Sequence, residues 1–493
     1  MKNKKFISLL KATDTVALKT EQSELTYQNL ISRVSHLADF ISSLGCERIG
    51  LYGDNCIDWL VADLAALEAE VTLVPIPMFF SDDQIRKSVE QSQLDVVINI
   101  DDDRLLSLLP LLDTDTHQEY HILFLRRDKA EPLANIRKIT YTSGSTGEPK
   151  GACLDERSMV AVASSLASIV PSEEGETHLC LLPLSTLLEN VAGVYASLLN
   201  GMTIVVPPQE GVGLNGSSTL NIEQMYSSLY THKANTAIMT PQLLQALVFY
   251  MESNQLDLPE LKFLAVGGGN LSVTILDRSE KLGLPVFEGY GLSEACSVVC
   301  CNEPNNYKKG SIGKPLPHVN LKIEDDGEIL VSGSTFKGYL NLDEGTNDEG
   351  FWPTGDLGSV DDDGFVFIAG RKKNLLISSF GRNVAPEWVE AELTTKQSVL
   401  QAAVFGDGEA YLSAIVFSLD TSLALKDIAK VNLTLPDYAQ VKKVIFSDEP
   451  FSKENRLLTE NGRIKRINIA EKFNHELASI YDAALDKDVS YEV

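Results

Sequence analysis

The sequence predicts an α/β protein. It should have a large N-terminal domain of parallel sheets covered by helices, with a small β subdomain, followed by a small α+β C-terminal domain. Three observations predict this. Up to about residue 310, short apolar strands alternate with helices of amphipathic period, the pattern of a parallel sheet covered on both faces. Between 310 and 370, Asp-Gly turns between apolar runs signal antiparallel hairpins. Beyond 371, strands and helices alternate again in a segment of different charge. The 493 residues also exceed one ordinary domain.

Leu25–Leu44 carries Leu30, Val34, Leu37 and Ile41 at helical spacing. Glu47–Tyr52 reads as a strand, Asp58–Ala69 as a helix, Val71–Pro77 as a strand, Asp82–Ser92 as a helix and Asp95–Ile100 as a strand. Asp101–Asp103 reads as a solvated loop. The run from Ile136 to Tyr141 reads as a strand. Leu179–Leu184 reads as a buried strand, Glu189–Asn200 as a helix and Met202–Pro207 as a strand. Gly211–Ser218 (GVGLNGSS) is expected to be a flexible loop. Thr236–Met239 with Pro241–Met251 forms a further strand–helix unit, and Leu261–Val266 a further strand. Val319–Ile323 and Glu328–Ser332 flank Asp325-Asp326-Gly327, and Gly358–Val360 and Phe365–Ala369 flank Asp361–Gly364. In the tail, Trp388–Thr394, Thr421–Lys430 and Ile469–Asp486 are expected helices. Val399–Phe405, Tyr411–Phe417 and Lys442–Phe446 are expected strands. The domains are therefore drawn at 1–371, with a β-rich subdomain near 310–370, and 372–493.

Lys and Arg total 42 against 69 Asp and Glu, a net charge of −27. Residues 371–493 hold 16 of the basic and 18 of the acidic side chains, so the excess lies in the body. Such a body repels nucleic acid and anionic lipid, which argues against both as partners. Polyanionic ligands then need local basic clusters. The seven cysteines, Cys46, Cys56, Cys153, Cys180, Cys296, Cys300 and Cys301, are scattered and odd in number, the pattern of free thiols in a reducing compartment. The apolar run after Met1–Lys5 ends at Lys11, too early for a signal peptide, and no run approaches the roughly 20 apolar residues of a membrane span. A cytoplasmic protein is expected. The seven His show no metal-ligand spacing.

Ile139–Gly151 (ITYTSGSTGEPKG) packs three Gly, two Ser, three Thr and Lys150 behind an apolar strand. Such a loop can turn backbone N–H groups and hydroxyls onto one anion and add a cation. By composition alone it is equally a mobile surface loop. The nucleotide-triphosphatase loop is excluded, because Lys150 follows Gly147 by three and precedes Gly151. The spacing resembles the phosphate loop of the acyl-adenylate-forming (AMP-binding) enzymes, and most of all the AMP-forming fatty acid–CoA ligases. The helix led by Thr26-Tyr27, Asn55 with Trp59, and the VPIP turn follow in the same family order.

That resemblance implies roles position by position. Ser143, Gly144, Ser145, Thr146, Gly147 and Lys150 would take the ATP phosphates, with Ser143 also near the metal. Gly267, Gly268 and Gly269 match the glycine turn against adenine and the acyl group. In Glu288–Glu294 (EGYGLSE) the glycines let the backbone approach a planar ring, Tyr290 offers a stacking face and Glu294 a hard oxygen ligand. Read alone, the stretch is a tight turn with an exposed acid. By resemblance, Tyr290, Gly291 and Ser293 belong to the nucleotide pocket and Glu294 binds Mg2+. Asp356 in WPTGDL would accept from the ribose hydroxyls, the plainer alternative being an Asp that stabilises a turn. Arg371 matches the ribose- and phosphate-contacting arginine, and Lys373 the pivot of a mobile C-terminal domain. Gly381 and Arg382 match the pantetheine tunnel, and Thr186, Leu187 and Val191 the acyl pocket.

Two departures stand out. Arg463 in NGRIKR occupies the place of the family's adenylation lysine, with Lys465 as the alternative two residues on; Arg is a wide fork rather than a compact ammonium. Thr186 stands where long-chain enzymes commonly carry His. The expected function is ATP-dependent activation of a carboxylic acid, medium- or long-chain by the mostly aliphatic lining that Leu187, Leu188, Val191, Tyr195 and Met239–Leu244 would supply. Pyrophosphate is released and the acyl group passes to the CoA thiol, with ATP, Mg2+ and CoA as cofactors. The alternatives are loading of a phosphopantetheine carrier protein, luciferase-like oxygenation, or a degenerate nucleotide-binding protein.

Overall fold

The computed structural model describes residues 5–100, 103–125, 132–142, 149–215, 219–342, 345–459, 462–481 and 491–492. Two large sheets make the body. The seven-stranded sheet runs Leu111–His117, Tyr120–Leu125, Val96–Asn99, Arg48–Tyr52, Thr72–Ile76, Lys138–Thr142, Lys150–Leu154. Its four inner strands pair in parallel, and the hairpins at both ends are antiparallel. The nine-stranded sheet is parallel from Val286–Leu292 through Phe263–Val266, Thr236–Met239, Thr177–Leu179 and Thr203–Val205 to Val16–Lys19.

The main core lies between these sheets. The expected apolar face of Tyr27–Ser43 is buried there: Leu30, Val34 and Ile41 are 0% exposed and Leu37 is 2%. Trp59 and Leu60 of Ile57–Glu68 and Met159 and Val162 of Glu156–Ile169 join the same cluster. The Glu156–Ile169 helix was not anticipated, although Asp155 caps it by accepting from Ser158 N at 2.7 Å. The helices Ile222–Thr231 and Val273–Lys281 and the hairpin Leu111–Leu125 were likewise not foreseen.

The smaller units follow the expected turns. Asn320–Ile323, Glu328–Ser332, Trp352–Val360 and Val366–Arg371 form one antiparallel sheet. Toward the C-terminus, Gln401–Phe405, Leu412–Phe417, Val441–Phe446 and Tyr491–Glu492 form a second, mixed one.

Four expectations need correction. The strand read over Leu179–Leu184 stops at Leu179. Pro183 has no N–H to give, and side chains take the backbone groups instead: Asn55 bonds Leu182 O at 2.9 Å and Leu184 N at 2.8 Å, and Glu189 accepts from Leu182 N at 2.9 Å. The helix read over Glu189–Asn200 is a π-helix over Leu188–Tyr195 that tightens to α over Ala196–Leu199. The tail helix bends at Phe473 (φ −106°, ψ 25°), dividing Arg466–Lys472 from Asn474–Tyr481. Phe473 N still reaches Ile469 O and Leu477 N reaches Phe473 O, so this is a kink at two weak helix formers, Phe473 and Asn474. In Gly211–Ser218, Val212 is 0% exposed within the 3₁₀ turn Gln209–Val212, so that part is anchored; residues 216–218 lie outside the described residues.

Candidate active site

The site gathers at the carboxyl ends of the parallel strands in the nine-stranded sheet, where such sheets open a crevice. Phe263–Val266 delivers the Gly267–Gly269 turn. Gly267 N bonds Met239 O at 3.2 Å, and a Cβ on Gly267 would meet Gly289 O at 3.1 Å, so a side chain there would crowd the neighbouring strand end. Val286–Leu292 delivers Tyr290 through a bulge between Tyr290 and Gly291. The reason for Gly291 differs from the expected approach to a ring. A Cβ there would lie 1.6 Å from Ser297 O, so its own neighbouring strand demands glycine. Ser293 opens the short 3₁₀ turn Ser293–Ala295 that carries Glu294.

Asp356 is the polar centre. It is 4% exposed; Oδ1 accepts from Arg371 Nε at 2.8 Å and Oδ2 from Tyr290 OH at 2.5 Å. Desolvation raises its carboxyl pKa, against Arg371 and Tyr290, which pull it down. Burial, then Asp356, pushes the Tyr290 phenol up. A carboxylate oxygen has two lone pairs, so each oxygen retains one acceptor site, enough for a vicinal diol.

Arg463 reaches the same place from the C-terminal unit. Thr459 N–Arg463 O (2.7 Å) and Arg463 N–Thr459 Oγ1 (3.0 Å) close a tight turn around Gly462 at φ +72°. The Arg463 guanidinium donates to Gly268 O at 3.0 Å. Its pKa is lowered, first by desolvation in the cleft and then by Arg371, while Asp356 and Glu294 oppose that shift. Lys465 occupies the position before the helix Arg466–Lys472 without a side-chain cap and donates its backbone N–H to Leu457 O at 2.9 Å; among the described residues nothing joins its ammonium to this group. Lys373 sits in the turn Lys372–Asn374, its pKa lowered by desolvation and then by Arg371.

Lys150 begins the strand Lys150–Leu154, its Nζ 4.9 Å from the centre of the Tyr339 ring. Ser143, Gly144, Ser145, Thr146 and Gly147 lie outside the described residues. Tyr339 also donates to Glu294 Oε1. Sequence reasoning passed over Tyr339, whose only signal was an aromatic between Gly338 and Leu340.

Other expected residues stay apart from this constellation. Gly381 (φ +72°, open space around a Cβ) and exposed Arg382 belong to the hairpin Leu376–Ile377/Asn383–Val384. That hairpin is held by Asp407 and Glu409 of its own unit, through Ile377 N–Asp407 Oδ1 at 2.9 Å and Ser379 N–Glu409 O at 2.8 Å. Thr186 Oγ1 donates to Pro183 O at 2.8 Å at the entrance to the π-helix. Leu187 is 6% exposed, and Val191, at 0%, belongs to the main core. The π-helix also holds a buried ion pair: Lys138 Nζ lies 2.7 Å from Asp63 Oδ1, and Asn190 Nδ2 and Tyr195 OH donate to Asp63 Oδ2 at 2.9 and 2.6 Å.

One metal-ligand arrangement escaped the sequence reading. His178, Cys180 and Glu189 hold ligand atoms within 4.8 Å of one another. His178 is nevertheless already bonded to Thr236 and Glu189, and Glu189 to Leu182 N.

A family model for the AMP-binding enzyme matches residues 8–340, and one for the AMP-binding enzyme C-terminal domain matches 373–485. The chain belongs to the AMP-binding enzyme family. A long-chain-fatty-acid–CoA ligase, FadD15 of Mycobacterium bovis, is 25% identical over 93% of this chain and 92% of its own. A 2-succinylbenzoate–CoA ligase of Bacillus pumilus is 32% identical over 56% of each. The solved anthranilate CoA ligase AuaEII, in complex with anthranoyl-AMP, superposes at TM-score 0.81 with 18% identity over 96% of this chain and 98% of that one. An o-succinylbenzoate CoA synthetase, MenE of Bacillus subtilis, solved with ATP and magnesium ion, superposes at 0.72 with 23% identity over 92% and 96%. The two solved structures show the shared fold, and the two sequence relatives support an acid–CoA ligase. No helix among the described residues is long and apolar enough to cross a membrane.

Proposed function

We propose that the protein activates a medium- or long-chain fatty acid with ATP and transfers the acyl group to CoA. The observation that carries the reading is the convergence of Arg463, Asp356, Arg371 and Glu294 on one cleft beside the Gly267–Gly269 turn. In the first half-reaction a carboxylate oxygen attacks the α-phosphorus. An O–P bond forms, the bond to the bridging oxygen breaks, and pyrophosphate leaves with the electron pair. Positioning and charge neutralisation dominate such chemistry. Tyr290 and Gly267–Gly269 hold the adenine, Asp356 and Arg371 the ribose, Lys150 the outer phosphates, and Arg463 neutralises charge between carboxylate and α-phosphate. Glu294 fits a magnesium ion, since its Oε2 has no protein partner among the described residues and its charge acts on Arg463; bound there, the ion would neutralise phosphate charge. In the second half-reaction the thiol sulfur attacks the acyl carbon: a C–S bond forms, the acyl C–O bond breaks, AMP leaves with the electron pair and the thiol proton passes to solvent. The unit from 372 turns about Lys373 between the two, bringing Gly381 and Arg382 to the cleft.

The fatty acid is supported by the relative matched along nearly the whole chain and by aliphatic Leu187, Leu188 and Met239. The test is pyrophosphate release across fatty acids, 2-succinylbenzoate and anthranilate, followed by thioester formation with CoA or a phosphopantetheine carrier protein. Turnover of an aryl acid in preference to every fatty acid overturns the substrate. Transfer to carrier protein alone overturns the acceptor. Nucleotide binding without pyrophosphate release overturns the activity.

A further inference from the structure

Tyr339 ties together two groups that the proposed reaction needs and that come from different sheets. Its strip, Lys337–Leu340, runs against the strand Lys150–Leu154. Lys337 N bonds Cys153 O at 2.8 Å, Cys153 N bonds Gly338 O at 3.1 Å, and Leu340 N bonds Gly151 O at 2.7 Å. Phe336 N, just before, bonds Glu294 O at 2.7 Å. The strip is therefore stitched to the backbone of Glu294 at one end and to the strand of Lys150 along its length.

The side chain repeats that geometry. The Tyr339 ring is walled edge-on by Phe336, with centroids at 4.9 Å, and by Trp352 at 6.0 Å. Its hydroxyl donates to Glu294 Oε1, and its face lies 4.9 Å from Lys150 Nζ. An aromatic face attracts an ammonium, and a hydrogen bond to one carboxylate oxygen turns the other toward a ligand. We infer that Tyr339 is a positioning residue: its hydroxyl aims Glu294 at the metal of a magnesium–nucleotide complex, and its ring sets Lys150 at that nucleotide's outer phosphates. The inference rests on the reading of Glu294 as the metal ligand.

The two contacts can be cut separately. Tyr339→Phe removes the hydroxyl and keeps the ring; Tyr339→Leu removes both. ATP binding is measured by calorimetry across a magnesium series, beside pyrophosphate release and thermal unfolding, for these variants and for Glu294→Gln. Tyr339→Phe should keep the parental Tm and raise the Mg2+ midpoint for ATP binding by about tenfold, the scale of losing such a support, with rate recovered at high Mg2+. Tyr339→Leu should add a loss of about threefold in ATP affinity that magnesium does not restore, the size of one cation–π contact. A Tyr339→Phe midpoint equal to the parent's, while Glu294→Gln shifts it, overturns the inference alone. An equal rate loss at every Mg2+ concentration assigns Tyr339 to packing and also overturns it. A parental midpoint in Glu294→Gln removes Glu294 from the metal, and this inference falls with it.

Discussion

Arg463 donates from its guanidinium to the carbonyl of Gly268 at 3.0 Å, across 195 residues of chain. The contact fastens the C-terminal turn to the glycine turn of the large sheet. It is one of several clasps between the two units. Ser272 and Thr274 donate to Glu392 at 2.9 and 3.2 Å, and Gln245 donates to Thr394 O. The structure therefore holds the arrangement in which Arg463 feels the charges of Asp356 and Glu294, with the Gly381 hairpin held by its own unit.

If Arg463 is the adenylation cation, Arg463→Ala removes a full charge from the first half-reaction. Pyrophosphate release should fall by about 10²- to 10³-fold, while thioester formation from supplied acyl-AMP stays near parental. Arg463→Lys should remain active, and Lys465→Ala should be mild. Loss of adenylation in Lys465→Ala with Arg463→Ala unaffected would move the role two residues along.

Glu294→Gln should lower pyrophosphate release by about 10²-fold or more, the scale of losing one charge-stabilising group, without altering thermal unfolding. Near-parental release would place the metal on other groups.

Lys373→Pro fixes φ near −65° at the proposed pivot. One half-reaction should survive and the other drop, as read by pyrophosphate release beside thioester formation. Equal losses in a stably folded variant would put the pivot elsewhere.

Glu288 offers a pH test. It is 7% exposed, its Oε2 has no partner among the described residues, and burial lifts its carboxyl from 4.5 to about 7. The fold favours the protonated acid, so the stabilisation is full below about pH 4.5 and is lost as pH rises toward 7. The loss amounts to at most about 3 kcal/mol at 1.36 kcal/mol per unit. Urea unfolding of Glu288→Gln should lack this decline, so its stability relative to the parent should rise between pH 5 and 8. Parallel profiles would show that Glu288 does not titrate in that interval.

What the sequence made legible was whatever repeats locally or sits within one turn. The apolar face of Tyr27–Ser43, the Asp-Gly hairpins and the motifs that marked the AMP-binding family all have that character. Tyr339 escaped because its partners, Glu294 and Lys150, are 45 and 189 residues away, and its own neighbours have no distinctive spacing. Leu179–Leu184 was misread because its apolarity records burial. Its backbone partners, Asn55 and Glu189, are side chains from elsewhere, which no local pattern reveals. The π-helix was invisible because i→i+5 bonding leaves no clear period in a run buried on most sides.

The π-helix Leu188–Tyr195 bears on how this protein can diverge. Its wide turns house the Glu189–His178 pair, and Gly193 is held small because a Cβ would lie 2.5 Å from Glu189 Oε1 and 2.7 Å from His178 Nε2. Point replacements at Glu189, Gly193 or Asn190 therefore meet a packed polar lattice. Losing one residue is another matter. An α-helix turns about 100° per residue, so a single deletion that relaxed the segment to α would swing Thr186 and Leu187 around the axis as a block. The shape of this wall would then change through chain length, in one discrete step, sooner than through gradual exchange of side chains.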